Sequence, residues 1–171
     1  MNMTNISRRK VIGSGAVAAA LAALAPVVAE ANIVTSGYAH DTLTIALFSA
    51  DISKLAINKA LHPMVQQFAR LEASEAEAVG NLLLGAGAIM PKRPDALAET
   101  LTTLKKMDPG TGFDLHYVRA EIDGHEDLLK IQKRRVAEGK AGIDTTIATL
   151  LVPFIETHLA MLQAVENSIA R

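Results

Sequence analysis

The feature that most constrains the fold is the spacing of apolar residues, which recur every three or four positions through four long stretches of the chain. In the first stretch they fall at Ile45, Phe48, Ile52 and Leu55. This spacing places them on one face of an α-helix. No strand-like alternation of apolar and polar residues interrupts the pattern, so the sequence predicts an all-α fold.

Proline and glycine residues set the bounds of the predicted helices. The helices are expected over Leu43–Leu61, Pro63 to about Gly85, Asp95 to about Met107, Gly112–Glu138 and Ile143–Ile169. The short third helix lies within a proline-containing connection, 88–111, that is long enough to cross the length of a bundle. We therefore expect a four-helix, ferritin-like bundle with a long crossover that contains a short helix, although an up-down-up-down order also fits the spacing.

The N-terminal segment has the features of an export signal. Arg8 and Arg9 form a paired-arginine motif, and an Ala-rich apolar stretch without charges follows it as far as Ala29. This is typical of a twin-arginine signal peptide. We expect a signal over 1–31, a flexible mature N-terminus over 32–42, the bundle over 43–171 and a periplasmic or otherwise exported location. Retention of the segment as a membrane anchor is the alternative.

Composition excludes several classes of function. The 17 Lys and Arg residues nearly balance the 18 Asp and Glu residues, and aromatic residues make up 4% of the chain with no Trp. These values give no basis for a nucleic-acid partner. The chain has no Cys, so any metal ligands must be His or carboxylate. We expect no membrane span in the mature chain, and a second copy or an envelope protein as partner.

Ionisable residues interrupt the apolar face of each long predicted helix. Asp51, for example, lies three residues after Phe48 and four before Leu55, which places it on the same face as both. Counting from the turns puts such groups at a similar height in all four helices. The candidate metal ligands on this argument are Asp51, Glu75, Glu121, His125 and His158.

Buried groups of this kind must be paired, hydrogen-bonded or bound to a metal, because burying them alone costs several kcal/mol each. Carboxylates with two imidazoles suit a single Zn, Mn, Fe or Cu ion. The alternative is a metal-free His–carboxylate network in a non-enzymatic structural or interaction protein of the envelope. No nucleophile or phosphate-binding loop is evident, so a conventional enzyme is not expected.

Short motifs in the four long helices resemble the domain of unknown function 4142 family, a group of ferritin-like exported bacterial proteins. The matching segments are Phe113-Asp114 with Tyr117 and His125, Pro153 with His158-Leu159, Asp51-Ile52 before Lys54-Leu55-Ala56, and Phe68-Ala69 with Glu75. They span roughly Thr44 to Asn167. The resemblance implies an exported helical bundle and no settled activity.

Three departures from that family and from ferritins bear on the metal hypothesis. Ala76 stands where the family commonly has a histidine, and Asp51 stands where it more often has Glu. The paired Glu-x-x-His motifs of ferritins are also missing, since Glu121 precedes His125 by four residues. A di-iron centre is therefore not expected.

Overall fold

The structure, a computed structural model, describes residues 36–170. Within that range the chain forms five α-helices and no strand, so the all-α prediction is confirmed. The helices are α1 (Ser36–Lys59), α2 (Pro63–Gly85), α3 (Asp95–Lys106), α4 (Thr111–Ala137) and α5 (Ile143–Ile169). The predicted signal peptide, 1–31, lies outside the described residues.

Helix α1 begins at Ser36, ahead of the predicted start at Leu43, so most of the segment 32–42 that was expected to be flexible is helical. Side-chain contacts explain the longer helix. The Tyr38 hydroxyl donates to Oε1 of Gln132 at 2.7 Å, and Nε2 of Gln132 donates to the Thr42 hydroxyl at 3.1 Å. Because Tyr38, Thr42 and Gln132 are all buried, these bonds attach the first turns of α1 to α4.

Contacts between side chains give the direction of two helix pairs. Tyr38 in α1 pairs with Gln132 in α4, whereas Ser53, further along α1, pairs with Tyr117 near the start of α4. Helices α1 and α4 are therefore antiparallel. Helices α4 and α5 are antiparallel as well, because Arg119 pairs with Glu166 and Lys133 with Glu156. Helix α2 packs against both α1 and α5.

Lys59, the last residue of α1, holds the C-terminal end of α3. Its ammonium group donates to the carbonyl oxygens of Leu104 and Lys105 at 3.1 Å each, and to that of Met107. The same nitrogen lies 5.3 Å from the centre of the Phe113 ring. A cation at a helix C-terminus is stabilised by the helix dipole and by the unpaired carbonyl groups of the last turn.

Replacing Lys59 by Met should lower the free energy of unfolding by about 2 kcal/mol, since charged hydrogen bonds and a cation–π contact are lost together. Urea denaturation followed by circular dichroism measures the change. Lys54→Met is the matched control on the same helix, because its ion pair with Glu77 is exposed and should contribute less than about 1 kcal/mol. Equal effects of the two variants would contradict the anchoring role.

A layer of polar side chains separates two apolar clusters in the interior. One cluster includes Phe48, Phe68 and Tyr117, and the other includes Leu43 and Leu83. Along α2, α4 and α5, the buried ionisable residues Glu72, His125 and His158 each lie between residues of the two clusters. The layer consists of Ser49, Ser53, Glu72, Glu121, His125 and His158.

Four large apolar residues of α2 and α5 are exposed, although large apolar side chains in an amphipathic helix are expected on its buried face. Leu71 and Leu82 of α2 and Leu150 and Phe154 of α5 are between 37% and 60% exposed. The buried face of α2 is formed by Val65, Phe68, Ala69, Glu72, Ala73, Ala76, Gly80 and Leu83. Small residues allow close helix packing at these positions, so the inward face is rotated from the one that the large side chains suggested.

Among the described helices, only α5 is long and apolar enough to cross a membrane by length and composition, and 28% of its most apolar window is buried. The core helix of a protein that never enters a membrane can meet the same criterion.

Candidate metal centre

Three buried donor atoms from three helices face one another in the polar layer. They are Oε2 of Glu72 in α2, Nε2 of His125 in α4 and Nδ1 of His158 in α5. The carboxylate oxygen lies 3.3 Å from the His125 nitrogen and 3.0 Å from the His158 nitrogen, and the two nitrogens are 3.2 Å apart. The atoms therefore form a nearly equilateral triangle, and the three residues can together hold a metal ion.

Each imidazole is oriented by an acceptor bonded to its other nitrogen. Nδ1 of His125 lies 2.8 Å from the backbone carbonyl oxygen of Glu121, and Nε2 of His158 lies 3.0 Å from Oε2 of Glu75. Because a carbonyl oxygen can only accept, Nδ1 of His125 carries a proton. In a neutral imidazole the remaining nitrogen then directs a lone pair into the triangle. This orientation by a carbonyl or carboxylate is usual for histidines that bind metals.

Charge inside the layer favours ionised Glu72 and protonated His125 when no metal is bound. Burial opposes ionisation of Glu72, but hydrogen bonds with His125 and His158 hold its pKa well below the usual range. Burial likewise disfavours the imidazolium form of His125, yet its hydrogen bond to Glu72 and the nearby carboxylates raise its pKa to about 9. A single proton on His125 can therefore occupy the triangle instead of a cation.

Behind the triangle, a chain of hydrogen bonds connects Tyr117 to Glu72. Ser53 lies 2.8 Å from both the Tyr117 hydroxyl and Oε1 of Glu121, and Ser49 lies 2.5 Å from Oε2 of Glu121 and 2.8 Å from Oε1 of Glu72. Each hydroxyl has one proton to donate. All four bonds are satisfied at once if Glu121 is protonated and donates to Ser49.

The environment of Glu121 supports that protonation state. Burial and the negative charge of Glu72 raise the pKa of Glu121 to about 8. Burial and the proximity of Glu121 also raise the pKa of Tyr117 well above its ordinary value. Glu121 is thus a neutral hydrogen-bonding group near pH 7 and would have to lose a proton to bind a metal well.

An aromatic ring lies against one side of the triangle, and a cavity adjoins another side. The Phe68 ring lies edge-on to His158, with the ring centres 5.4 Å apart, and 6.1 Å from the centre of the His125 ring. A different side is open to a cavity of about 280 Å³, which Glu72, His125 and His158 all line. A ligand can therefore approach the three donor atoms from the cavity.

The predicted site residues fall into three groups in the structure. His125 and His158 contribute donor atoms to the triangle, and Glu75 and Glu121 lie next to these imidazoles as hydrogen-bonding partners. Asp51 lies apart from the triangle: its carboxylate accepts from Arg93 at 2.5 Å. The expectation that Asp51 shares the inward layer is thus corrected. An ion pair with the residue from the crossover keeps its side chain partly exposed.

Glu72 is the site residue that the sequence analysis missed. It lies four residues after Phe68 and four before Ala76, which is the helical spacing of the buried face. The large apolar residues Phe68 and Val79, seven before and four after Glu75, indicated Glu75 instead. Counting alanines as inward residues would have identified Glu72.

Comparison with known proteins shows the family of the chain. The model of the family described as Domain of unknown function (DUF4142) matches residues 18–165. Neither curated proteins nor solved structures give a significant match. The match covers most of the chain and includes every residue of the triangle, and the protein therefore belongs to the DUF4142 family.

Proposed function

We propose that this protein is an exported, ferritin-like helical bundle that binds one transition-metal ion through Glu72, His125 and His158. The observation that carries the proposal is the triangle itself. Its three donor atoms are 3.0 to 3.3 Å apart, and both imidazoles are oriented from behind by acceptors. Without a cation or a proton between them, these lone pairs would repel one another.

The spacing of the donor atoms fits a small divalent ion. Ligands at 2.0 to 2.1 Å in a tetrahedral zinc site are about 3.3 Å from one another. Two imidazoles with one carboxylate form a common catalytic zinc set and also the donor set of many non-haem iron(II) sites. Among Zn, Mn, Fe and Cu, nitrogen donors favour Zn and Fe over Mn, which prefers oxygen ligands. Glu75 and Glu121 would orient the histidines from outside the coordination shell.

The helix order supports the ferritin-like part of the proposal. A short connection joins α1 to α2, which suits an antiparallel pair, and α1 is antiparallel to α4. Helices α2 and α4 would then run in the same direction. The connection between them, 86–110, would have to cross the length of the bundle, as the long crossover of ferritin-like folds does.

Export through the twin-arginine route rests on the N-terminal sequence. The Arg8-Arg9 pair and the apolar stretch after it are its only support. Such a route suits a chain that folds before transport, and a helical bundle with local contacts folds fast.

The metal proposal predicts one equivalent of zinc per chain after equilibration of the metal-free protein with Zn²⁺ and removal of unbound ion. Elemental analysis measures the stoichiometry. His125→Gln should retain less than about a tenth of an equivalent, because the substitution removes one of the three metal ligands. His116→Gln is the matched control, since His116 lies on the same helix with an exposed side chain.

The same zinc measurement also tests the alternative function, a metal-free polar network. The polar layer can satisfy its own hydrogen bonds with a proton on His125, and this observation favours a metal-free network in an envelope structural or interaction protein. Under that alternative the wild-type chain would hold no transition metal at any tested concentration near stoichiometry. Its melting temperature would then be the same with and without a chelator.

A further inference from the structure

The cavity that reaches the triangle is a groove with apolar walls between α2 and α5. Its walls include Ala78 and Val79 of α2 and Leu150, Leu151 and Phe154 of α5. Polar side chains among the lining residues are confined to Ser49, Glu72, Glu75, His125 and His158. The groove therefore combines an apolar body with a compact polar end, as small-molecule sites do.

Large apolar side chains border the opening and remain exposed in the part of the chain that the structure describes. Leu150 is 60% exposed and Phe154 is 53% exposed. Exposing such side chains to water is unfavourable, and an apolar ligand in the groove would cover part of their surface.

A free coordination position on the bound ion selects the head group of such a ligand. A divalent ion bound by two neutral imidazoles and Glu72 keeps one net positive charge. Glu75, which also lines the groove, is bonded to Nε2 of His158 at 3.0 Å but still carries its own negative charge, so this end of the groove is close to neutral overall. Three protein donors also leave a position of the ion free for an oxygen ligand.

We propose that the groove between α2 and α5 binds an aliphatic monocarboxylate, with its carboxylate on the metal ion and its hydrocarbon chain along the apolar walls. The proposal rests on the metal site proposed above and names the class of ligand for it. A volume of about 280 Å³ has room for about nine groups the size of a water molecule or methylene, at roughly 30 Å³ each. This corresponds to a chain of about eight carbons.

Calorimetric titration of the zinc-loaded protein with octanoate and acetate tests the ligand class. Octanoate should bind on the order of 100-fold more tightly than acetate, because it adds six methylenes that the walls can partly bury. Octylammonium has the same chain, but its ammonium group has no lone pair with which to coordinate the ion, so it should bind at least about tenfold more weakly than octanoate. Equal binding of octanoate and acetate would overturn the role of the walls. Tighter binding of octylammonium would overturn the role of the ion.

A substitution at the wall separates the groove from the metal site. Ala78→Trp adds a large side chain at an exposed position of α2 that lines the groove, so octanoate affinity should fall at least about tenfold while zinc stoichiometry stays at one. Ala96→Trp, at an exposed position of α3, is the matched control and should change neither value.

The two proposals fail in different ways. If the protein binds zinc but octanoate binds no better to the wild type than to Ala78→Trp, the ligand proposal is wrong and the metal site stands. If zinc does not bind to the wild-type protein, both proposals are wrong.

Discussion

Glu72→Gln should weaken zinc binding by about a hundredfold or more, because it removes the only negatively charged donor of the triangle. The amide can still accept a hydrogen bond from Ser49, whose hydroxyl lies 2.8 Å from Oε1 of Glu72, so the fold should persist. Competition with a chromophoric chelator measures the affinity.

Substitutions of two other acidic residues serve as controls, because they should weaken zinc binding less than Glu72→Gln does. Asp51→Asn should leave zinc affinity unchanged, since Asp51 pairs with Arg93 and not with the histidines. Glu75→Gln should weaken binding by about 10- to 100-fold, the range typical of residues that orient a ligand. A larger loss from Asp51→Asn than from Glu72→Gln would contradict the assignment of the donors.

In the metal-free protein, the titration of His125 should lower the free energy of unfolding by about 3 kcal/mol between pH 6.5 and pH 9, the approximate pKa values of His125 in the unfolded and folded chain. Hydrogen bonding to Glu72 outweighs burial and raises the folded pKa. The contribution is therefore fully present below pH 6.5 and is lost as pH rises through 9. Glu121, with a pKa raised by burial to about 8, acts in the same direction over part of this range.

Urea denaturation at several pH values checks this dependence. The pH dependence of zinc affinity provides a second measurement. Binding of zinc must displace the proton from His125, so zinc affinity should rise by about tenfold per pH unit between 6.5 and 9. His125→Gln should remove the contribution of His125, about 3 kcal/mol over this range, whereas the exposed His116→Gln should retain it. A constant free energy of unfolding over this range would show that His125 is not held as an imidazolium.

Apolar spacing predicted the existence and order of the helices because a helix that buries one face needs apolar residues every three or four positions. The bounds of α2 and α5 agree with the prediction at Pro63 and at Ile143–Ile169. The start of α1 was placed too late, since contacts of Tyr38 with a distant residue extend it. Local spacing contains no information about such a partner.

The candidate site could be predicted only in part for a related reason. His125 and His158 were identified because the spacing within a single helix is enough to place an imidazole on an apolar face. Glu72 and Glu75 are both acidic and only three residues apart, and the choice between them depends on how α2 is rotated against its neighbours. Alanine and glycine on the buried face set that rotation, and an analysis of large side chains does not reveal it.

By itself, the sequence determined the all-helical class, the helix order and the two inward histidines, because these follow from spacing within single segments. Only the tertiary structure decided that Glu72 completes the triangle and that Asp51 forms an ion pair with Arg93 instead. It also decided that a groove between α2 and α5 reaches the donor atoms. These features depend on distances between helices. These distances are set by the packing of small side chains and by the pairing of buried charged groups with residues distant in the sequence.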